Sequence, residues 1–278
     1  MQIVRTIKEM RAHLNAWRKQ GQSIGLVPTM GGLHDGHLSL IDAAKERADK
    51  TVTTVFVNPS QFAPHEDFVT YPRNETGDFT KLENAGTNMI FAPSVAEIYP
   101  DGHSTKIEVL GISQVLEGEF RPHFFGGVAT VVAKLLLQAL PDVAVFGDKD
   151  YQQLCVIKTM VRDLDIPVEI IGAPTVREAD GLAMSSRNKY LNAQERKIAP
   201  ALYRVITEIA SNVRDGQNLS DQRAWAEAEL TRAGFGVVDY VALRDAESLE
   251  PVSDASRPAR VLAAAWLGGT RLIDNISV

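Results

Sequence analysis

The sequence predicts an α/β fold in which a Rossmann-like parallel sheet carries helices on both faces and is followed by a smaller α+β domain. Between residues 23 and 172, short β-branched apolar runs alternate with longer helical patterns, which is typical of a parallel sheet covered by helices. After about residue 175, two long amphipathic patterns precede short strand patterns. A chain of 278 residues is long enough for two ordinary domains. We therefore predict one domain over residues 1–175 and a second over residues 176–278.

The first domain is predicted to contain a set of buried strands. Short continuous apolar runs suit strands that are covered on both faces. Such runs lie at residues 24–27, 51–57, 89–92, 143–146 and 168–171. Residues 106–109 are a candidate for an additional edge strand.

Helical periodicity occupies segments between these strands and most of the second domain. Residues 38–48 place Leu38, Ile41, Ala44 and Ala48 on one stripe. Similar spacing predicts helices at 128–140, 151–162, 193–213 and 220–233. Strands are predicted at 237–243 and 261–265. We expect this second domain to form a lid over a site in the first.

Composition and charge exclude several classes of protein. The net charge is −6, which argues against broad binding of nucleic-acid backbones. A single cysteine, Cys155, can form neither an internal disulfide nor a zinc cluster, and its place in an apolar helix stripe suits an inert buried thiol. We see no export signal and no run of about 18 uncharged apolar residues. We expect a cytoplasmic protein without a membrane or nucleic-acid partner.

The segment PTMGGLHDGH follows the first predicted buried strand and leads into helix 38–48. In parallel α/β sheets, ligands bind beyond the carboxyl ends of strands, where glycines allow close approach and a helix N-terminus presents N–H groups to an anion. His34 and His37 can donate hydrogen bonds to the same phosphate. The plain alternative is polar residues facing water at a helix end, whereas zinc would need the missing His-Glu-x-x-His spacing. Two histidines with three glycines favour a phosphate site.

The segment FVNPSQF ends the second predicted strand. Pro59 breaks the strand ladder, and Asn58 and Gln61 offer uncharged donors and acceptors at the ligand edge of the sheet. Such groups suit a hydroxy acid. A simple polar turn explains the segment equally well.

The segment FGDKDYQQ again joins a predicted strand to a predicted helix. Lys149 would bring a point charge to phosphate, Asp150 could accept from a ribose hydroxyl, and Gln153 would lie one turn into the helix. Asp148 and Asp150 are equally ordinary partners of a helix dipole. Lys149 is unfavourable at a helix N-terminus unless an anion compensates it, so it favours the ligand-binding interpretation.

The segment VREADGLAMSSRN lies at the proposed domain boundary. Ser185 and Ser186 followed by Arg187 form a plausible mobile phosphate-binding segment. A hinge loop that ends in a helix cap is the alternative, and both interpretations can hold together.

In this order, the four segments resemble the pantothenate synthetase family, the pantoate–β-alanine ligases, over residues 3 to about 192. That family belongs to the nucleotidyltransferase superfamily with the class I aminoacyl-tRNA synthetases. Residues 34–37 are similar to its HIGH-like signature and residues 184–187 to its KMSKS-like signature. The implied reaction adenylates pantoate with ATP and then transfers the pantoyl group to β-alanine. ATP with Mg²⁺ and a homodimer are implied as well.

The resemblance also implies roles for individual residues. His34, His37 and Lys149 would be catalytic, and Gln61, Gln153 and Asn58 would bind pantoate or β-alanine. The implied ATP site comprises Met30, Gly31, Gly32, Leu33, His34, Asp35, Gly36, His37, Gly147, Asp148, Lys149, Asp150, Val176, Met184, Ser185, Ser186 and Arg187. No protein ligand for Mg²⁺ can be assigned.

One segment departs from the family pattern, and two other functions stay open. The family's usual Arg-Pro-Gly-His-Phe is Arg-Pro-His-Phe-Phe at residues 121–125, so this loop is expected to sit differently and His123 is interpreted as an exposed loop residue. The alternatives are an adenylyl- or cytidylyltransferase that stops after nucleotidyl transfer and a non-catalytic nucleotide-binding sensor.

Overall fold

The chain divides into two units in the computed structural model, which describes residues 1–64, 66–217 and 219–278. The first unit comprises Met1–Asp148 and Val156–Pro174, and the second comprises Lys149–Cys155 and Thr175–Val278. Residues 149–155, which the sequence prediction assigned to the first domain, thus group with the second unit.

The first unit is built on a six-stranded parallel sheet with the order β1-β4-β3-β2-β5-β6. Its strands are β1 (Gln2–Val4), β2 (Ile24–Thr29), β3 (Lys50–Val55), β4 (Met89–Phe91), β5 (Val143–Gly147) and β6 (Glu169–Ala173). The predicted parallel sheet and the strands from β2 to β6 are confirmed. β1 was not predicted, because three residues at a sheet edge carry too little pattern.

The helices of the first unit begin and end at recognisable signals. Thr6 and Glu9 form a capping box at the start of α1, and Asn74 caps α3 by accepting from the Gly77 N–H. The helices are α1 (Ile7–Lys19), α2 (Asp35–Lys45), α3 (Glu75–Asn84), α4 (Val95–Ile98), α5 (Glu117–Phe120) and α6 (Phe124–Ala139). Helix α7 (Tyr151–Asp163) begins in the second unit and ends in the first. One core joins Val27, Ile41, Leu82 and Ile90 with Leu33 from the loop after β2.

The prediction of an edge strand at residues 106–109 is wrong. These residues have no regular structure, and the Ile107 N–H donates to the Thr130 hydroxyl of α6 at 2.9 Å. Because this N–H bonds to a helix side chain, it does not extend a sheet ladder. Among the described residues, β1 and β6 are the edges of the sheet.

The second unit packs helices on a three-stranded antiparallel sheet with the order β7-β8-β9. Its elements are α8 (Ala193–Ile198), α9 (Ala201–Arg214), α10 (Leu219–Ala233), β7 (Val238–Asp245), β8 (Ala259–Leu267) and β9 (Thr270–Ser277). Val205, Ile206 and Ile209 of α9 share a core with Val261 and Ala263 of β8. The smaller α+β domain is therefore confirmed as a fold prediction.

Two details of the second unit differ from the sequence prediction. The helix predicted at 193–213 is interrupted between α8 and α9, because Pro200 has no N–H to continue the helical hydrogen bonds. Strand β9 was not predicted, although it pairs with β8 along its whole length. Over the described residues, no helix is both long enough and apolar enough to cross a bilayer.

Candidate active site

The loop after β2 needs glycine at two consecutive positions. Gly31 and Gly32 have φ angles of 80° and 63°, a left-handed conformation that other residues adopt at a cost. A Cβ atom on Gly31 would also lie 3.0 Å from Oδ2 of Asp78. Leu33, at the end of the turn, is buried in the core. The loop is therefore fixed at the carboxyl end of a central strand, as the sequence predicted.

Two side chains of α3 hold this loop in place. The Gly32 and Leu33 N–H groups donate to the Asp78 carboxylate at 2.8 and 2.9 Å, and Lys81 donates to the Leu33 carbonyl at 2.6 Å. Asp78 is only 3% exposed, so these two amides help to satisfy a buried carboxylate. Sequence reasoning missed both residues. Their three-residue spacing on one helix face was visible, but their contact with a loop more than 40 residues away was not.

His34 and His37 lie together where α2 begins. Their ring centroids are 4.1 Å apart, and the His34 backbone N–H donates to Nδ1 of His37 at 3.4 Å. A ring nitrogen that accepts a hydrogen bond carries no proton, so the proton of a neutral His37 is on Nε2. Nε2 is thus the atom that can donate to a ligand oxygen. Asp35 and Gly36 are the first two residues of the same helix. The backbone N–H groups of a first helical turn have no partner within the helix.

Asn58 orients Gln61 in the turn after β3. The Asn58 amide donates to Oε1 of Gln61 at 3.0 Å and to the Gly127 carbonyl at 3.1 Å, and its own oxygen accepts from the Tyr99 hydroxyl at 2.8 Å. Both amide side chains are buried. Because these contacts of Asn58 are all with other parts of the protein, Asn58 is suited to position Gln61. The accepting Oε1 leaves the Gln61 Nε2 group as the part that can donate to a substrate.

Arg121 fastens the same turn from the loop that departs from the family pattern. It donates to the two Glu66 carboxylate oxygens at 2.6 and 2.8 Å and to the Gln61 carbonyl at 3.3 Å, and it stacks 3.9 Å from the Phe124 ring centroid. Burial favours a raised pKa for Glu66, but the hydrogen bonds and charge of Arg121 outweigh it and hold that pKa below its ordinary value. His123 Nε2 lies 3.7 Å from the Glu66 carboxylate.

The second unit holds Lys149 and Asp150 in a short 3-10 turn, Asp148–Asp150, that leads into α7. Asp148, the first residue of this turn, and Gly147 before it belong to the first unit. The Lys149 ammonium lies 3.5 Å from the Asp150 carboxylate, with the lysine side chain 21% exposed. Gln153 is half-buried in the first turn of α7. The Cys155 thiol is buried and lies 3.8 Å from the Ala246 carbonyl, which agrees with a structural role.

The segment from Val176 to Arg187 is a tight double turn within the second unit. The Met184 N–H donates to the Val176 carbonyl at 3.0 Å, and Arg177 pairs with Ala183 across an antiparallel bridge. The Ser185 hydroxyl accepts from the Arg187 N–H at 3.2 Å and caps the 3-10 helix Ser186–Tyr190. The segment is thus a capped loop, and this geometry leaves the Ser185 proton available for donation to a phosphate.

Within each unit, the predicted residues form two groups. His34 contacts His37 and Asn58 contacts Gln61 in the first unit, while Lys149 contacts Asp150 and Val176 contacts Met184 in the second. Over the described part of the chain, no group of three His, Cys, Asp or Glu residues is arranged to hold a metal ion. The groups instead present hydrogen-bond donors, acceptors and a lysine charge.

Comparisons with known proteins agree over nearly the whole length. Residues 2–277 match the family model described as pantoate-beta-alanine ligase. Proteins named pantothenate synthetase from Caulobacter vibrioides and Paramagnetospirillum magneticum are each 56% identical, over 99% of this chain and 98% and 97% of their own lengths.

Solved structures give the same result. The pantothenate synthetase of Thermus thermophilus matches with a TM-score of 0.94 and 45% identity over 99% of both chains. The pantoate-beta-alanine ligase of Francisella tularensis, complexed with beta-gamma ATP and beta-alanine, matches with a TM-score of 0.84 and 36% identity over 99% of this chain and 97% of its own. The chain belongs to the pantoate-beta-alanine ligase family.

Proposed function

We propose that this protein condenses (R)-pantoate with β-alanine at the expense of ATP, giving pantothenate, AMP and pyrophosphate through a pantoyl-adenylate intermediate. The observation that carries the proposal is the loop after β2, which turns at two glycines and is held by Asp78. This loop places His34 and His37 next to each other at the N-terminus of α2. Such an arrangement stabilises developing negative charge on a phosphate. Family membership and the substrates of the Francisella tularensis relative support ATP and β-alanine as ligands.

In the first step, a pantoate carboxylate oxygen attacks the α-phosphorus of ATP and pyrophosphate leaves. His37 donates from Nε2 and His34 lies beside it, so both stabilise the transferring phosphoryl centre. Lys149, with Ser185, Ser186 and Arg187, holds the triphosphate, and the N–H groups at the start of α2 add further phosphate contacts. The Gly32 and Leu33 N–H groups of the Met30–Leu33 turn bond to Asp78, so this turn contributes its shape and lets the ligand approach the backbone closely. Asp150 and the backbone at Val176 hold the nucleoside. Positioning and charge stabilisation then account for the rate enhancement.

In the second step, the neutral amine of β-alanine attacks the acyl carbon and AMP leaves with the oxygen that joined it to pantoate. Gln61 and Gln153 bind pantoate through hydrogen bonds of their side-chain amides, and Asn58 fixes the orientation of Gln61. No protein nucleophile is required, because the adenylate already makes the carboxyl group a good electrophile. A buried, inert Cys155 agrees with this chemistry.

The remaining parts of the proposal concern the metal, the assembly and the location. Mg²⁺ enters as the Mg·ATP substrate, because Mg²⁺ keeps phosphate oxygens and waters as ligands and needs few from the protein. We expect a cytoplasmic homodimer whose 176–278 region acts as a lid. Transfer that stops at the nucleotidyl stage and silent nucleotide binding are not favoured by family membership.

An isotope experiment tests the mechanism. Pantoate labelled with ¹⁸O in its carboxylate is incubated with ATP and Mg²⁺, with and without β-alanine, and the masses of AMP and pantothenate are measured. One labelled oxygen is expected in AMP, and only when β-alanine is present. Label that stays wholly in pantothenate, or ADP as the nucleotide product, overturns the acyl-adenylate route.

A further inference from the structure

Strand β9 carries two consecutive polar residues that are both buried. Asp274 and Asn275 are 5% and 4% exposed, although neighbouring residues of a strand point to opposite faces of the sheet. Burying a carboxylate and an amide is costly unless each is hydrogen-bonded. The hydrogen-bond partners of Asp274 and Asn275 therefore show which segments this strand supports.

Asp274 holds the start of the segment that leads to Ser185. Its carboxylate accepts from two Arg177 nitrogens at 2.6 and 2.9 Å, a bidentate geometry that fixes direction as well as distance. Arg177 also donates to the Gly181 carbonyl at 3.1 Å and stacks 3.7 Å from the Tyr203 ring centroid. Arg177 therefore fastens the turn at residues 177–183 to β9 and also bonds across the turn to Gly181.

Asn275 holds the turn that carries Lys149. Its Nδ2 donates to the Lys149 carbonyl at 2.9 Å, and its Oδ1 accepts from Arg260 at 2.6 Å. Arg260 stacks 3.9 Å from the ring centroid of Tyr151, whose hydroxyl donates to the Ala246 carbonyl at 2.6 Å. Residues 149–151 thus bond to the sheet of the second unit through both backbone and side chain.

A lysine needs such support more than most phosphate ligands do. Its ammonium is a point charge at the end of a flexible stem with several rotatable bonds. Fixing the backbone carbonyl of the same residue removes part of that freedom before a ligand arrives, which improves both binding and orientation. The same reasoning applies to the hydroxyl groups that follow the 177–183 turn.

We propose that Asp274 and Asn275 are positioning residues for ATP binding. From one strand, they hold Lys149 and the segment with Ser185, Ser186 and Arg187 in place. Asn275 acts through Lys149, and Asp274 acts through Arg177. The inference rests on the phosphate-binding role proposed above for Lys149. It gives the C-terminal strand a part in adenylation.

The test is the kinetics of the Asn275→Ala enzyme. We expect its KM for ATP to rise about tenfold, since a small misplacement of a binding group has effects of this size or larger. The single-turnover rate of chemically prepared pantoyl adenylate with β-alanine should stay within about twofold, because that step has no triphosphate to hold. An unchanged KM for ATP, or an equal loss in both steps, overturns the proposal.

Leu272→Ala is the matched control. Leu272 is 5% exposed on the same strand and belongs to the apolar core of the second unit. Its truncation should lower Tm through a core cavity without moving the KM for ATP. A rise in KM equal to that of Asn275→Ala would mean that general destabilisation explains both, and the proposal would fail. If Asn275→Ala does not fold, the Asp274→Asn enzyme is measured in its place. Its KM for ATP is expected to rise about threefold, because the amide keeps only one of the two contacts with Arg177.

A third variant separates this inference from the proposed function. Lys149→Ala should keep the fold but lose most adenylation. The double variant Lys149→Ala/Asn275→Ala should then match Lys149→Ala within about twofold in KM for ATP, since coupled residues are not additive. If Lys149→Ala keeps a near-normal adenylation rate and KM for ATP, the proposed role of Lys149 fails. If Lys149→Ala raises the KM and Asn275→Ala does not, only the role of Asn275 fails.

Discussion

The two units hold the segments that we propose to bind phosphate in different ways. In the first unit, a buried carboxylate on α3 accepts from consecutive backbone N–H groups of the Gly32–Leu33 turn. In the second, side chains of β9 bond to the Lys149 carbonyl and to Arg177. The first arrangement spans 46 residues of sequence or fewer, whereas the link from Asn275 to Lys149 spans 126.

The difference suggests that the two segments contribute to different kinetic steps. A loop fixed through its own N–H groups, with glycine at both left-handed positions, has few conformations left and suits the reacting centre. A capped turn whose support comes from side chains of a separate strand can adjust with that strand. We expect substitutions around the first loop to lower kcat and substitutions around the second to raise the KM for ATP.

The largest effect is expected from His37→Ala. The His37 Nδ1 contact with the His34 N–H directs Nε2 as the donor, so removing the ring deletes the transition-state contact that we propose for His37. We expect kcat to fall on the order of 10²- to 10³-fold, with Tm nearly unchanged and the KM for ATP moved far less. Steady-state kinetics and thermal unfolding measure these quantities. A variant with normal kcat would remove His37 from the reacting centre.

Asp78→Asn should give the next largest effect. An amide can accept from one backbone N–H, but its own NH₂ group then faces the other donor, so the buried turn loses one of its two contacts. We expect kcat to fall about 30-fold and Tm to fall. Asp42→Asn, on the exposed face of α2 where Asp42 pairs with Lys45, is the control and should change neither. Full activity of Asp78→Asn would contradict the rigid-loop interpretation.

Sequence reasoning predicted much of the fold but little of this support. The strands β2, β3 and β5 were predictable because they are short runs rich in apolar and β-branched residues that lead into glycine or proline turns. The break at Pro200 between α8 and α9 could also have been predicted, because proline in a helix interior removes a backbone hydrogen bond. β1 and α3 carry weak patterns, and β9 was missed despite its length.

The candidate residues His34, His37, Gln61 and Lys149 were likewise chosen from local motifs. Their supports, Asp78, Arg121 and Asn275, are distant in sequence and meet them only after folding. In the sequence, Asp78 and Asn275 are ordinary polar residues, and Arg121 was noted only as part of the segment that departs from the family pattern. Side-chain contacts of this kind depend on the tertiary arrangement, which no local pattern encodes.

Arg121→Lys tests the turn with Gln61. Lysine keeps the charge but cannot make the bidentate contact with Glu66 or reach both Glu66 and the Gln61 carbonyl in the same geometry. We expect the KM for pantoate to rise about tenfold, with the KM for ATP unchanged. Arg73→Lys is the control, because Arg73 donates to the exposed carbonyls of Phe68 and Val69. Equal effects of the two substitutions would remove Arg121 from the pantoate site.

The smallest expected effect is on stability in acid. Arg121 holds the pKa of Glu66 below its ordinary value despite the opposing effect of burial. A carboxyl group whose pKa is lower in the folded state stabilises that state above its unfolded pKa, and the stabilisation is lost as the pH falls through the folded pKa. Glu66→Gln should therefore lower the free energy of unfolding by about 1 kcal/mol at pH 7, and by progressively less below pH 4.5. Denaturant unfolding at several pH values measures the difference, and a gap that stays constant down to about pH 3 would show that Glu66 contributes no ion pair.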